Sequence, residues 1–291
     1  MTSADPQLEQ RLTDHVRALA DHIGPRGLFA PEALSAAADL IEGCFESMGY
    51  SVWREPVDAP GGLSHNIVAE RPGTEPDPGV WLVGAHYDTV EGTPGADDNA
   101  SAVAVLLEMA REFTRVDPKQ TVRFVAFTNE EMPHFSTQSQ GAMVHAAGCR
   151  ERGEQVHLMA SLEMLGYYTD APGSQAYPAG LSACYPDTGN FVAVIGSMRH
   201  GIKLKRLVGA FRKVSGFPCE YLATPFWMPA LVRSDHFAFW LHRYPAVMIT
   251  DTADFRNPHY HSGLDTPDTL DFAAMAQVSH GFAKAFARLA G

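Results

Sequence analysis

Residues 84–101 read GAHYDTVEGTPGADDNAS. The stretch begins where an apolar run ends, since Val80, Trp81, Leu82 and Val83 predict a buried strand. It stops where Ala102 to Phe113 set apolar residues at helical spacing. Between them, a loop broken by Gly92, Pro94 and Gly95 carries His86, Asp88, Asp97 and Asp98. Open α/β sheets hold their ligands at the carboxyl ends of central strands. An imidazole and three carboxylates placed there would repel one another without a cation among them, so the loop reads as a metal site.

The flanking chain supplies the rest of such a sheet. Leu8, Leu12, Val16, Leu19 and Ala20 predict a helix over 7–22, broken by Gly24, Pro25 and Gly27. Pro31 opens a second helix, with Leu34, Ala38, Ile41, Cys44 and Phe45 on its apolar face, and Gly49 ends it. Strands are expected over 51–57 and 66–70. Val122–Phe127 is an apolar strand ending in Thr128-Asn129-Glu130-Glu131, with a helix over 141–148 after it. Leu158–Leu162 is a further buried strand, ending at Glu163. Strand, acid-bearing loop and helix thus recur, which implies an α/β fold with a mainly parallel central sheet flanked by helices.

The second half is less regular. Residues 167–189 form a long aromatic, Pro- and Gly-rich loop, of the kind that is often functional. A strand over 191–195, a helix over 202–214 and an irregular stretch over 219–233 follow. Ser234-Asp235-His236 has the composition of a helix start, and Ala246–Thr250 that of a last buried strand. Thr266 is expected to cap a terminal helix with Pro267 in its first turn. With neither repeat nor linker, residues 1–291 read as a single catalytic domain.

Composition narrows the function classes. With 45% hydrophobic and 19% charged residues the chain has an ordinary globular composition. A net charge of −12 leaves no basic stripe for nucleic acid. No apolar run approaches the ~20 residues that span a bilayer. The opening MTSADPQLEQRLTDH has no basic segment followed by an apolar one, so a cytoplasmic location is expected. Cys44, Cys149, Cys184 and Cys219 lack the close spacing of a zinc knuckle and read as buried free thiols in a reducing compartment.

Acids therefore stand at the ends of three strands: His86, Asp88 and Asp98 on the first, Glu130 and Glu131 on the second, Glu163 on the third. The last strand leads to Asn257-Pro258-His259-Tyr260-His261, a second histidine source. In a parallel sheet these ends face one side. Neutral imidazole with carboxylate suits zinc or a similar divalent ion. The acids outnumber the needs of one ion, and two ions roughly 3.5–4 Å apart, sharing a carboxylate, account for them.

Taken together, GAHYDTVEGTPGADDNASAVAVLLEMA, FTNEEMPHF, SLEMLGY, SDHFAF and NPHYHSGLDT resemble the co-catalytic zinc aminopeptidase family. That family includes bacterial leucyl aminopeptidases, glutamate carboxypeptidase II and the glutaminyl cyclases. The motifs follow in order from about residue 60 to the C-terminus. The resemblance implies a zinc-dependent exopeptidase fold holding two divalent ions, zinc by preference, and an aminopeptidase acting on the N-terminal residue of peptides. It implies His86 and Glu163 on one ion, Glu131 and His261 on the other, and Asp98 bridging both. Asp88 would orient His86, and Glu130 would act as the general base. Family members often carry Asp at the Glu163 position, and Gly-Leu where this chain has Met132-Pro133.

Other readings attach to the same residues. A small amide or N-acyl substrate would make the chain a deacylase, and a glutaminyl-cyclase-like acyltransferase would keep a single zinc. Asp97 reads as an acid that binds backbone amides. His259 competes with His261, His134 is a bystander, and His236 either touches substrate or packs. Phe226, Trp227 and Met228 either wall a substrate pocket or fill the core.

Overall fold

Three strands carry nearly unbroken apolar runs, and such strands need cover on both faces. They are β3 (Gly79–His86), β4 (Thr121–Phe127) and β5 (Gln155–Glu163), preceded by β1 (Val52–Ala59) and β2 (Gly62–Arg71). The strands β6 (Val192–Ser197), β7 (Cys219–Thr224) and β8 (Ala246–Thr250) follow. The computed structural model describes residues 5–76, 79–178, 180–225, 228 and 231–291. All eight strands join one sheet in the order β1-β2-β4-β3-β5-β8-β6-β7. The centre, β4-β3-β5-β8, is parallel, whereas β1/β2, β2/β4 and β6/β8 are antiparallel.

Because side chains alternate along a strand, each apolar run feeds two cores. Val83, Ala85, Leu158, Ala160, Val194, Val247 and Ile249 face one layer of helices. That layer contains α1 (Pro6–Arg17), α2 (Pro31–Ser47), α3 (Ala102–Phe113), α5 (Gly201–Val214) and α7 (Phe272–Ala290). Leu82, Val125, Phe127, Met159 and Ala246 face the other, thinner layer of α4 (Gly141–Glu151) and α6 (His236–Leu241). The helix α3 runs from the site loop through the middle of the thicker layer, and Ala102 to Ala110 are all buried. Among the described residues, no helix is long and apolar enough to cross a membrane.

The structure departs from the sequence pattern in three places. Residues 219–224 are an edge strand, although they sit in a stretch read as irregular. Their alternation is legible only once β6 is there to pair with. The terminal helix starts at Phe272, capped by Asp271 accepting from Ala274 N, while Pro267–Thr269 forms a separate short turn. Ser234 and Asp235 do not cap α6; their side chains bond Glu163 and Gln140 instead. All four cysteines are free, but only Cys149 and Cys219 are buried; Cys44 is half-buried and Cys184 exposed.

Candidate metal centre

The parallel centre of the sheet brings the expected acids together at its carboxyl edge. His86 is the last residue of β3, Glu163 the last of β5, and Glu130 and Glu131 follow β4 by three and four residues. Asp98 lies in the wide turn that leads from Gly95 into α3, with extended dihedrals (φ −102°, ψ 87°) that aim it back at the strands. His261 arrives from the loop after β8, at φ +52°, with Tyr260 stacked on its ring at 3.7 Å.

Two donor sets result, His86/Asp98/Glu163 and Asp98/Glu131/His261, each within 4.8 Å. The Asp98 carboxylate is divided between them. Its Oδ1 lies 3.4 Å from His86 Nε2, and its Oδ2 3.1 Å from His261 Nε2. Glu163 Oε2 is 3.5 Å from His86 Nε2, and Glu131 Oε1 is 3.4 Å from His261 Nε2. Glu130 belongs to neither set; its Oε2 stands 4.0 Å from His86 Nε2.

A cation fits this arrangement. Asp98 Oδ1 is buried without a hydrogen-bond partner, an expensive state for a charged oxygen. Burial works against a charged imidazole at His86, yet the carboxylates of Glu163 and Glu130 drive its pKa well above the ordinary value. Burial, then the neighbouring Asp98, pushes Glu131 up to about 7. Burial, with Glu131 and Glu163 beside it, pushes Glu130 well above the usual carboxylate range. Such a cluster demands positive charge at its centre. One imidazole and two carboxylates per set, with room for a further ligand, match the donors zinc takes.

Backbone hydrogen bonds hold the loops that carry these groups. Asp88 receives Glu130 N and Glu131 N, each at 3.0 Å, one on each carboxylate oxygen. Its backbone oxygen lies 3.2 Å from His86 Nδ1, and its carboxylate 3.6 Å away. Asp97 accepts from Gly166 N at 2.8 Å and from Asn257 Nδ2 at 2.7 Å, facing away from both donor sets. His259 turns toward Tyr167, ring edge to ring face at 6.3 Å, and leaves the centre to His261. His236 is fully buried against Trp240, with Nε2 3.1 Å from Leu231 O, so it packs rather than touching substrate. His134 is buried too and reaches neither donor set.

Three positioning residues carry no sequence signal of their own. Asp265 receives Asp97 N at 2.8 Å and Asp98 N at 3.0 Å. Ser234 Oγ donates to Glu163 Oε2 at 2.7 Å. Arg26, fully buried, donates to the carbonyls of Tyr87, Pro94 and Gly95 at 2.7, 2.7 and 2.9 Å. Ser234 opens the SDHFAF motif and Asp265 lies within NPHYHSGLDT, whereas Arg26 falls in neither.

An open cleft spanning about 770 Å³, solvent included, lies beside Glu163 and Tyr260. Ile195, Leu222, Leu231, Met248 and Phe255 make it largely apolar. Met228, one of three residues considered for such a wall, packs against the Ile195, Leu231 and Met248 cluster; Phe226 and Trp227 lie outside the described residues.

Residues 66–286 match the family described as Peptidase family M28. The chain belongs to peptidase family M28. This M28 peptidase is 40% identical over 281 residues to the uncharacterized protein YfbL of Escherichia coli (strain K12), covering 94% of this chain and 85% of that one. It is 27% identical over 232 residues to leucine aminopeptidase 1 of Arthroderma otae, covering 74% of this chain but only 55% of that one. Among solved structures, BSAP, a zinc aminopeptidase from Bacillus subtilis, superposes with a TM-score of 0.75 at 15% identity, over 97% of this chain and 94% of that one. The glutaminyl cyclase of Fimbriiglobus ruber superposes with a TM-score of 0.69 at 20% identity, over 98% and 95%. At those identities the likeness is one of fold. The M28 peptidase and these neighbours share the α/β architecture.

Proposed function

We propose that this chain is a metal-dependent aminopeptidase whose residues 1–291 form one catalytic domain and remove the N-terminal residue of peptides. The observation that carries the reading is the division of Asp98 between two donor sets, with an unligated glutamate beside them. His86 and Glu163 would hold one zinc ion and Glu131 and His261 the other, with the Asp98 carboxylate within reach of both donor sets. Bound there, such ions would supply Lewis acidity, lowering the pKa of a water molecule and polarising the scissile carbonyl. Glu130 accepts the proton that the attacking water loses, on its carboxylate oxygen, and passes it to the departing amine. Asp88 fixes that carboxylate's place through the Glu130 and Glu131 amides. The apolar pocket beyond Glu163 takes the side chain of the N-terminal residue.

Glu130→Gln separates chemistry from metal binding. Elemental analysis should still find close to two zinc ions per chain, while hydrolysis of leucine p-nitroanilide falls by roughly 100- to 10,000-fold, the usual worth of a general base. Unchanged turnover would remove Glu130 from its role. A parallel panel of N-acyl amino acids tests the deacylase reading: preferential cleavage there would replace the peptide assignment.

A further inference from the structure

The apolar pocket has a charged far end, and strand register sets how far away it is. Glu163 pairs with Thr250, Thr250 with Ala193, and Ala193 with Glu220. Paired residues on adjacent strands share a face, so these four side chains form one row across β5, β8, β6 and β7. The row two residues back runs Ser161, Met248, Ile195 and Leu222, and the last three make the apolar floor. Adjacent strands lie ~4.8 Å apart, so the Cα atoms of Glu163 and Glu220 stand roughly 14 Å apart, three strand spacings. Both residues line the same cavity.

The surroundings of Glu220 suit a cation. Tyr177 and Tyr185 line this end of the pocket and stack at 5.8 Å; Tyr185 Oη donates to Tyr221 O at 2.9 Å, while the Tyr221 ring packs on the opposite face of the sheet, 5.8 Å from the Arg212 guanidinium. Ring faces next to a carboxylate attract an ammonium or guanidinium group. Glu220 is one-third exposed, and Arg212, itself half-exposed, stands 3.9 Å off while donating to Cys219 O. Arg212 does not line the pocket; the cation that does, Arg233, is paired with Asp254 beside Phe255 and Tyr260.

We propose that Glu220 is a specificity-determining residue, selecting peptides whose N-terminal residue carries a cation at the end of a long apolar stem, namely lysine or arginine. The inference rests on the aminopeptidase reading. Reach decides between side chains. A lysyl stem of five bonds extends roughly 6 Å, and the Glu220 side chain roughly 3–4 Å in return. Together they span the row once the bound residue's Cα is set a few ångströms inward from Glu163. A leucyl side chain, with a stem of roughly 2.5 Å, rests on the apolar floor and never meets Glu220.

The test compares kcat/KM for lysine and norleucine p-nitroanilides on the zinc-loaded protein. These substrates share a stem and differ in terminal charge. Glu220→Gln should lower the lysine-to-norleucine ratio about three- to fivefold, the size expected for a partly exposed ion pair. Glu220→Lys should lower it by about tenfold or more, and added salt should lower the wild-type ratio alone. A ratio unchanged within twofold in both variants, with norleucine p-nitroanilide still hydrolysed by the wild type, overturns the role of Glu220 and leaves the aminopeptidase standing. Failure of the zinc-loaded wild type to cleave any aminoacyl anilide overturns the aminopeptidase reading and the inference with it.

Discussion

Replacing Arg26 by methionine should unfold the protein more easily and loosen its grip on metal, although Arg26 touches no ligand. The side chain is fully buried and donates to five backbone carbonyls, those of Leu19, Gly24, Tyr87, Pro94 and Gly95. Two of these keep a second donor, since Leu19 O also receives Gly24 N and Gly95 O receives Ala100 N. The cost of Arg26→Met therefore falls on the carbonyls of Gly24, Tyr87 and Pro94. A buried acceptor left without its donor costs about 1–3 kcal/mol, which puts the loss near about 4 kcal/mol once the loop relaxes. A typical domain holds ~5–15 kcal/mol in all, so the variant should fold but with a sharply lower urea midpoint. Tyr87 and Gly95 flank the residues that aim His86, Asp88 and Asp98, so zinc affinity measured against a competing chelator should drop in parallel. Arg26→Lys, with three donors instead of five, should recover part of both losses. Loss of less than about 1 kcal/mol in Arg26→Met would refute the premise that these carbonyls depend on the guanidinium.

Asp265→Asn leaves one acceptor oxygen for the two amides of Asp97 and Asp98, and turns an amide N–H₂ toward the other; zinc affinity should fall about 10- to 100-fold in chelator competition with the fold intact. Far from the centre, His15 sits 3.2 Å from the buried Glu108. Burial disfavours its charge, yet hydrogen bonds to Cys44 and Glu108 push its pKa up to about 9. The folded chain thus keeps a proton that the unfolded chain loses above about 6.5, so this contribution is complete below pH ~6.5 and lost as the pH rises through 9. Urea unfolding should weaken by up to about 3 kcal/mol across that window, and His15→Gln should abolish this part of the pH dependence. Parallel pH profiles for wild type and His15→Gln would contradict it.

Much of the fold and the donor set was legible in the sequence because both rest on strands. Val80–Val83, Val122–Phe127 and Leu158–Leu162 are runs too short for helices, and each is followed within three residues by a titratable one, His86, Glu130 or Glu163. Parallel pairing alone then places His86, Glu130, Glu131 and Glu163 on one edge. Glu220 and its strand were missed because β7 is an edge strand, and its pattern of Cys219, Tyr221 and Ala223 inward gains meaning only against β6. Arg26, Asp265 and Ser234 were missed for a different reason. Two of them act on backbone groups, and a hydrogen bond to a distant amide or carbonyl leaves no periodicity or spacing in the chain. Asp88 shows both sides: its place two residues after His86 pointed to the imidazole, but its carboxylate is occupied by the amides of Glu130 and Glu131.

That division of labour among the acids explains how so many carboxylates can share one buried edge. Asp88 takes the amides of Glu130 and Glu131, Asp265 those of Asp97 and Asp98, Asp97 that of Gly166, and Asp251 those of Tyr167 and Ala253. Each of these carboxyls is turned toward backbone N–H donors at the ends of the strands or in the loops beyond them, yet burial still raises the pKa of three of them, Asp97 well above the usual carboxylate range, Asp265 up to about 7 and Asp251 up to about 6. Arg26 does the converse, supplying a cation to carbonyls rather than to an acid. Among the proposed ligands and the glutamate beside them, Asp98 is held below the usual carboxylate range against burial by His261 and His86, whereas burial pushes Glu131 up to about 7 and Glu130 well above the ordinary value. The chain therefore builds the cradle from its own dipoles and leaves the net charge of the centre to be met from outside. By this logic the non-ligand acids set the shape of the site, and the ligand acids set its affinity.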